Sequence, residues 1–183
     1  ASGTYTGSGS YVVTISKSLN ILGGWDSTFT TRSGFSIIDG QNTRTGVSTY
    51  NGTVTIDHFQ IQNGYSTGDG GGIRIQGNLN LNNSLVINNR NGGQNSGRAG
   101  GIYNKGNLTL NNSTVEGNIL EGSSSGAGGI SVDQGIFTIN NSTITGNQGA
   151  GIYIGYYGQT TIINSTITNN VSESGGGISI NGS

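Results

Sequence analysis

Ionisable side chains are scarce in this chain: eight Asp and Glu, seven Lys and Arg, and one His among 183 residues. The acids are Asp26, Asp39, Asp57, Asp69, Asp133, Glu116, Glu121 and Glu173. Cleavage of a glycosidic bond needs two carboxyl groups facing one bond. Proton abstraction from a uronate needs a base and a cation that holds the developing charge. No two of these acids fall at equivalent positions of adjacent repeats, so neither arrangement is expected and no catalytic residue is assigned. The best pair is Asp57-His58. Neighbours on a strand project to opposite faces, so the spacing predicts that these two do not converge. A single His and the lack of Cys exclude a multi-histidine or thiolate metal site and any disulfide. No metal or cofactor is implied.

The glycine-rich runs do not supply ligand chemistry either. Asp69-Gly70-Gly71-Gly72 carries its Asp on the wrong side of the glycines for a calcium-binding nonapeptide repeat, and the Asp does not recur. Gly126-Ala127-Gly128-Gly129 lacks the Gly-Lys-Ser/Thr of a phosphate loop. Asn-x-Ser/Thr sites at Asn51, Asn107, Asn111, Asn112, Asn140, Asn141, Asn164 and Asn170 follow from an Asn/Ser/Thr-rich repeat and acquire meaning only in a glycosylating secretory route.

Binding chemistry is better represented. The residue after the first Ile of each repeat is expected to face solvent: Arg74, Tyr103, Ser131, Tyr153 and Ser179. Tyr103 and Tyr153 then lie two windings apart on one side, with Arg74 beyond and Tyr156 and Tyr157 in a neighbouring turn. Aromatic faces with hydrogen-bonding tips suit a glycan-binding surface, and Tyr is also a good strand residue. Outward Thr143-x-Thr145 and Thr166-x-Thr168 form a short hydroxyl row of the kind that could meet ice or mineral, broken at Thr114-x-Glu116 and Leu85-x-Ile87. The loops Arg90–Ala99 and Ile119–Ala127 are long and Gln148-Gly149 is short, and long loops on one side of a solenoid often carry recognition.

These residues hang on a repeated phrase. Gly71-Gly72-Ile73 leads to Leu79-x-Leu81, Ser84-x-Val86 and Asn89, and the same order recurs from Gly100, Gly128 and Ala150, with a fifth copy opening at Gly176. Successive copies start 29, 28, 22 and 26 residues apart, from Ile73 to Ile178. Apolar alternation in short β-branched runs predicts three strands per copy, and a period of this length predicts a solenoid. The reading is all-β: a three-sided parallel β-helix of about seven three-strand coils, with like strands about 4.8 Å apart along the axis. Leu81, Leu110, Ile139 and Ile162 are expected to form one core column, and Val86, Val115, Ile144 and Ile167 another. Ser84, Ser113, Ser142 and Ser165 sit where a small side chain lets the corner close. Asn89, Asn118, Asn147 and Asn170 are expected to form a hydrogen-bonded structural ladder at a turn, with left-handed backbone. Residues 1–183 read as a single segment, with irregular coils over 1–67 and regular repeats over 68–183. Neither end carries a visible cap, so the chain is expected to be part of a longer one or to pair through its helix ends.

Only 8% of residues are charged and the net charge is −1, which excludes a surface built to neutralise phosphates; no nucleic acid is expected. No apolar run approaches the roughly 20 residues of a membrane helix.

These residues resemble the pectin-lyase-like right-handed parallel β-helix proteins, and more narrowly repeats of the polymorphic outer-membrane protein type in bacterial surface and secreted proteins. That repeat carries Gly-Gly-[Ala/Ile] and Phe-x-x-Asn elements. Here they stand as Gly100-Gly101-Ile102 and Gly128-Gly129-Ile130, and as Val115-Glu116-Gly117-Asn118 and Ile144-Thr145-Gly146-Asn147, with an aliphatic residue for Phe. The stretch from Lys17-Ser18-Leu19 to Gly23-Gly24-Trp25, then Arg32 and Ile38-Asp39-Gly40, resembles the opening of such regions. The resemblance implies an extracellular or cell-surface location and structural or adhesive roles. The expected function is therefore a non-catalytic structural or adhesive β-helix segment. A pectin-lyase-type polysaccharide lyase or hydrolase, and a glycan-binding module using Arg74, Tyr103, Tyr153, Tyr156 and Tyr157, are the alternatives. The partners left open are a glycan or other cell-surface component and a second copy meeting a helix end.

Overall fold

The computed structural model describes residues 2–93, 98–122 and 126–181. Among the described residues the regular elements are all strands, and every pairing between them is parallel. Three ladders carry the architecture. One stacks Tyr11–Ile15, Thr45–Thr49, Ile73–Ile75 and Ile102–Asn104 against the opening parts of Gly126–Asn140 and Ala150–Ile163, and ends at Ile178–Ile180. The next stacks Leu19–Leu22, Thr53–Asp57, Asn78–Asn82 and Asn107–Asn111 against the closing parts of the same two long strands. The last runs from Thr4–Tyr5 through Ser36–Asp39, Phe59–Gln62, Leu85–Ile87, Thr114–Glu116 and Thr143–Thr145 to Thr166–Thr168. A short fourth ladder joins Tyr65–Ser66, Arg90–Asn91 and Ile119–Leu120. The result is a parallel, solenoid-like stack of repeats. In two windings the first and second strands merge into one, Gly126–Asn140 and Ala150–Ile163, so the largest sheet bends most of the way round the core.

The alternation that marks the strands also fills the core. Leu79, Leu81, Leu108, Leu110, Phe137 and Ile139 are each at most 1% exposed, while the residues between them face outward. Leu81, Leu110, Ile139 and Ile162 pair in register, as do Val86, Val115, Ile144 and Ile167. Each side chain thus packs on its counterpart in the next winding. Thr45–Thr49 is a strand that apolar spacing does not announce, since only Val47 continues the core column. Its Thr45 hydroxyl is instead buried and donates to the Gly70 carbonyl at 2.9 Å.

Two corner motifs explain the repeated Gly and Asn. The Asn89, Asn118, Asn147 and Asn170 amides form the expected ladder, Nδ2 to Oδ1, at 3.0, 3.0 and 2.7 Å. Each of these four Nδ2 groups also donates to a backbone carbonyl one winding below: those of Ile61, Val86, Val115 and Ile144 in turn. The left-handed backbone is not at these asparagines. It belongs to the residue before each one: Asn88, Gly117, Gly146 and Asn169, with φ between 54° and 62°. That preceding residue turns the chain, which lets the ladder side chain point inward. The glycine before the first-strand Ile faces the ladder in three windings: a Cβ on Gly72, Gly101 or Gly151 would fall 2.6 to 3.2 Å from the Asn89, Asn118 or Asn170 amide. Gly-Gly and Asn are therefore two halves of one corner. At another corner, Asn83, Asn112, Asn141 and Asn164 take the left-handed conformation. The Ser after each does more than fit a tight space. The hydroxyls of Ser113, Ser142 and Ser165 accept from the backbone N–H of Ser84, Ser113 and Ser142 at 3.0 to 3.1 Å.

Candidate functional site

The outward row of the first ladder places Arg74, Tyr103, Ser131 and Tyr153 in register, with Tyr103 and Tyr153 two windings apart as their spacing requires. The expectation that this row faces solvent is corrected for its central members. Tyr103 is 6% exposed, Tyr153 is 5% exposed and Ser131 is fully buried. The Gly70 backbone lies close to the Tyr103 Cβ, a contact that a side chain at residue 70 would spoil. Tyr103 OH donates to Asp133 Oδ2 at 3.0 Å, and Lys105 Nζ lies 3.6 Å from the same oxygen. Burial and the neighbouring Asp133 carboxylate together push the Tyr103 phenol well above its ordinary range. Arg74 is largely covered; its Nε donates to Asp69 Oδ2 at 2.6 Å, and its guanidinium sits 5.4 Å from the Tyr50 ring centre. Burial opposes the Arg74 charge, but Asp69 prevails and holds the guanidinium more firmly protonated than usual. Tyr153 OH accepts from Asn181 Nδ2 at 3.0 Å.

Tyr156 and Tyr157 behave differently. They lie within the strand Ala150–Ile163 rather than in a turn, at a register irregularity facing Val132 to Gln134. Their rings are 5.5 Å apart, tilted by 59°, and remain 63% and 71% exposed. Ile136, one winding away, is also exposed. Of the five binding candidates, these two form an accessible aromatic pair; Tyr103 and Tyr153 are buried and Arg74 is largely covered.

The Asp57-His58 pair overturns its expectation. His58 occupies the corner column that Asn83, Asn112 and Asn141 fill in later windings, and it shares their left-handed backbone, with φ 59°. That twist cancels the strand alternation and brings the two side chains together, His58 Nδ1 to Asp57 Oδ1 at 2.8 Å. Arg32 completes the cluster: its Nη2 lies 2.7 Å from Asp57 Oδ2 and 3.0 Å from His58 Nδ1, and its guanidinium sits over the Trp25 ring. Asn83 Nδ2 donates to Asp57 Oδ1 at 2.8 Å. Burial works against the Asp57 charge, but the Asn83, Arg32 and His58 donors outweigh it and hold the carboxyl below its ordinary value. Such a carboxylate is a poor general acid, which must keep its proton near neutrality. Arg32 carries no sequence signal for this contact, since it lies 25 residues from Asp57 in an irregular winding.

Asp57 gives a pH prediction with a definite sign. Its folded pKa lies below the ordinary 3.8. The stability it contributes is therefore complete above that value and drains away as pH falls through the lower, folded value. Asp57→Asn should lower the urea midpoint at pH 7, by about 2 kcal/mol in unfolding free energy, as Arg32 loses a charged acceptor. The wild-type and variant curves should converge as pH falls through that folded value. A constant difference across that range would show that the carboxylate charge contributes nothing.

Several of the other acids are similarly engaged. Asp26 accepts from Thr31, Thr30 and Thr28, first from the Thr31 hydroxyl, and its carboxyl is held far below the usual range. Glu121 pairs with Arg90 at 3.1 Å. Among the described residues no group of three His, Asp or Glu side chains could hold a metal ion, and no helix is long and apolar enough to cross a membrane. The long loops named from the sequence include residues 94–97 and 123–125, which lie outside the described residues. The expected Thr row is in register at Thr143–Thr166 and Thr145–Thr168, and Thr114 extends its first column by one winding. The comparisons return no matching family model, no similar curated protein and no similar solved structure.

Proposed function

We propose that this chain is a non-catalytic, extracellular or cell-surface structural and adhesive module, built as a right-handed, single-stranded parallel β-helix of about seven three-strand coils. Handedness rests on the general rule that parallel crossover connections in one sheet are right-handed in about 98% of cases. The observation that carries the functional reading is the continuity of the stacked ladders. Asn89 to Asn170, Ser84 to Ser165 and the two aliphatic columns bind winding to winding without a gap. A stack whose interior is filled in this way suits a stiff spacer that displays its surface, since each repeat contributes by resting on its neighbours.

A second reading has its own observation. The exposed Tyr156–Tyr157 pair suits stacking of an aromatic face against a sugar ring. Both readings are tested by exposing the protein to a panel of acidic and neutral polysaccharides, following retention and release of reducing ends. The module reading expects retention without bond cleavage; newly formed ends or unsaturated products would overturn it. Replacing both Tyr156 and Tyr157 by Ala should weaken glycan retention about tenfold or more, equivalent to about 1.4 kcal/mol. Unchanged retention would remove the aromatic pair from the binding surface.

A further inference from the structure

We propose that Asn51-Gly52 is a site of spontaneous covalent modification, at which Asn51 converts to isoaspartate or aspartate and thereby loosens the adjacent winding. The chemistry is intramolecular. The Gly52 backbone nitrogen attacks the Asn51 side-chain carbonyl carbon, the new C–N bond closes a succinimide, and the side-chain amide leaves as ammonia, taking up the proton that the nitrogen releases. Water then opens the ring at either carbonyl. The step needs a nitrogen free of hydrogen bonding and a following residue without a Cβ to obstruct the approach.

The sequence holds four Asn-Gly steps: Asn51-Gly52, Asn63-Gly64, Asn91-Gly92 and Asn181-Gly182. Gly182 lies outside the described residues. Two of the other three are locked. Gly64 N donates to the buried Asn89 Oδ1 at 2.7 Å, and Asn63 Nδ2 is held by Asp39. Gly92 N donates to the Ser66 carbonyl at 2.9 Å, and Asn91 Nδ2 donates to the Gly68 carbonyl at 2.9 Å and to the Asp69 carbonyl. Asn51 is exposed, and among the described residues neither its side chain nor the Gly52 N–H has a hydrogen-bond partner. The turn is anchored on either side instead, by Tyr50 N to the Ile15 carbonyl at 2.9 Å and Thr53 N to Ser18 Oγ at 3.1 Å.

The position gives the reaction a structural consequence. Isoaspartate routes the main chain through the former side chain and adds one backbone atom. Gly77 of the next winding is packed against this turn, and even a Cβ there would fall 3.1 Å from the Asn51 carbonyl carbon. The added atom should displace the Gly52 carbonyl, which accepts from Asn78 N at 2.9 Å where the strand Asn78–Asn82 begins.

The test is incubation of the folded chain at mildly alkaline pH, then peptide mapping by mass spectrometry with an isoaspartyl methylation assay. The peptide carrying Asn51 should gain one mass unit at least about tenfold faster than those carrying Asn63 or Asn91, the factor expected when one net hydrogen bond must open first. In denaturant the three sites should react at comparable rates, and Asn51→Gln should abolish the fast site without changing the thermal midpoint. Equal rates at the three sites in the folded chain would overturn the proposal. So would a folded Asn51 that stays intact while the denatured one reacts.

Discussion

Replacing Asn118 by Ala should cost about 4 kcal/mol of folding stability, a large share of the 5–15 kcal/mol typical of a folded domain. Asn118 is fully buried. Its Oδ1 accepts from both the backbone N–H and Nδ2 of Asn89, each at 3.0 Å. Its Nδ2 donates to the Val86 carbonyl at 2.9 Å and to Asn147 Oδ1 at 3.0 Å. Truncation strands groups above and below at once, and a buried group left unsatisfied costs about 1–3 kcal/mol. Asn80, which projects outward from the middle of its strand, supplies the contrast: Asn80→Ala should stay within about 0.5 kcal/mol. Asn118→Asp separates hydrogen-bond polarity from packing. At neutral pH it places a charge in the core and points a carboxylate oxygen at Asn147 Oδ1. Burial raises the folded pKa of such a carboxyl, so this variant should regain stability as pH falls and the group takes up a proton. Urea titrations at several pH values provide the measurement. A cost for Asn118→Ala no larger than that for Asn80→Ala would mean the ladder is ornamental to stability.

Gly106→Ala should be comparably damaging, by about 3 kcal/mol or more, through steric conflict rather than lost bonding. Gly52, Gly77, Gly106, Gly135 and Gly158 follow one another at the corner between the first two strands of successive windings. A Cβ on Gly106 would be driven into the Gly77 carbonyl, and one on Gly135 into the Gly106 carbonyl. Both obstacles are main chain of the neighbouring winding, so no side-chain rotation relieves them. The windings must separate, and Asn107 N must give up the Gly77 carbonyl that it holds at 3.0 Å. Gly34 is the control, because a Cβ there meets nothing within 4 Å. Gly34→Ala should leave the thermal midpoint nearly unchanged, whereas Gly106→Ala should lower it by several degrees or abolish folding. Equal midpoints for the two variants would contradict the close approach of windings at this corner.

Legibility from sequence followed periodicity. The core columns and the Asn ladder were readable because like residues recur at one repeat length, and a stack that places each repeat on its neighbour converts that recurrence into contact. The corner glycines were not read as a column, because Gly52, Gly77, Gly106, Gly135 and Gly158 are spaced by 25, 29, 29 and 23 residues, and glycine is common throughout the chain. Thr45–Thr49 is not legible in the sequence because a single apolar residue, Val47, carries its place in the core.

The amino-acid order alone determined the parallel stacking of repeats, which residues enter the core and which amides form the ladder. Tertiary structure alone decided the surroundings of the polar candidates. Tyr103 and Tyr153 sit in the predicted column, yet both are buried, Tyr103 beside the Gly70 backbone and Tyr153 in contact with Asn181. Tyr156 and Tyr157 stay uncovered where the register slips. Asp57 and His58 converge because one residue takes a left-handed backbone at a corner, and Arg32 reaches them from a winding that obeys no period. Burial of an alternating strand is a regular property that a repeat must display in its residues. The contacts among Arg32, Asp57 and His58, unlike the recurring Asn ladder, depend on a single turn and an irregular winding, which leave no periodic trace.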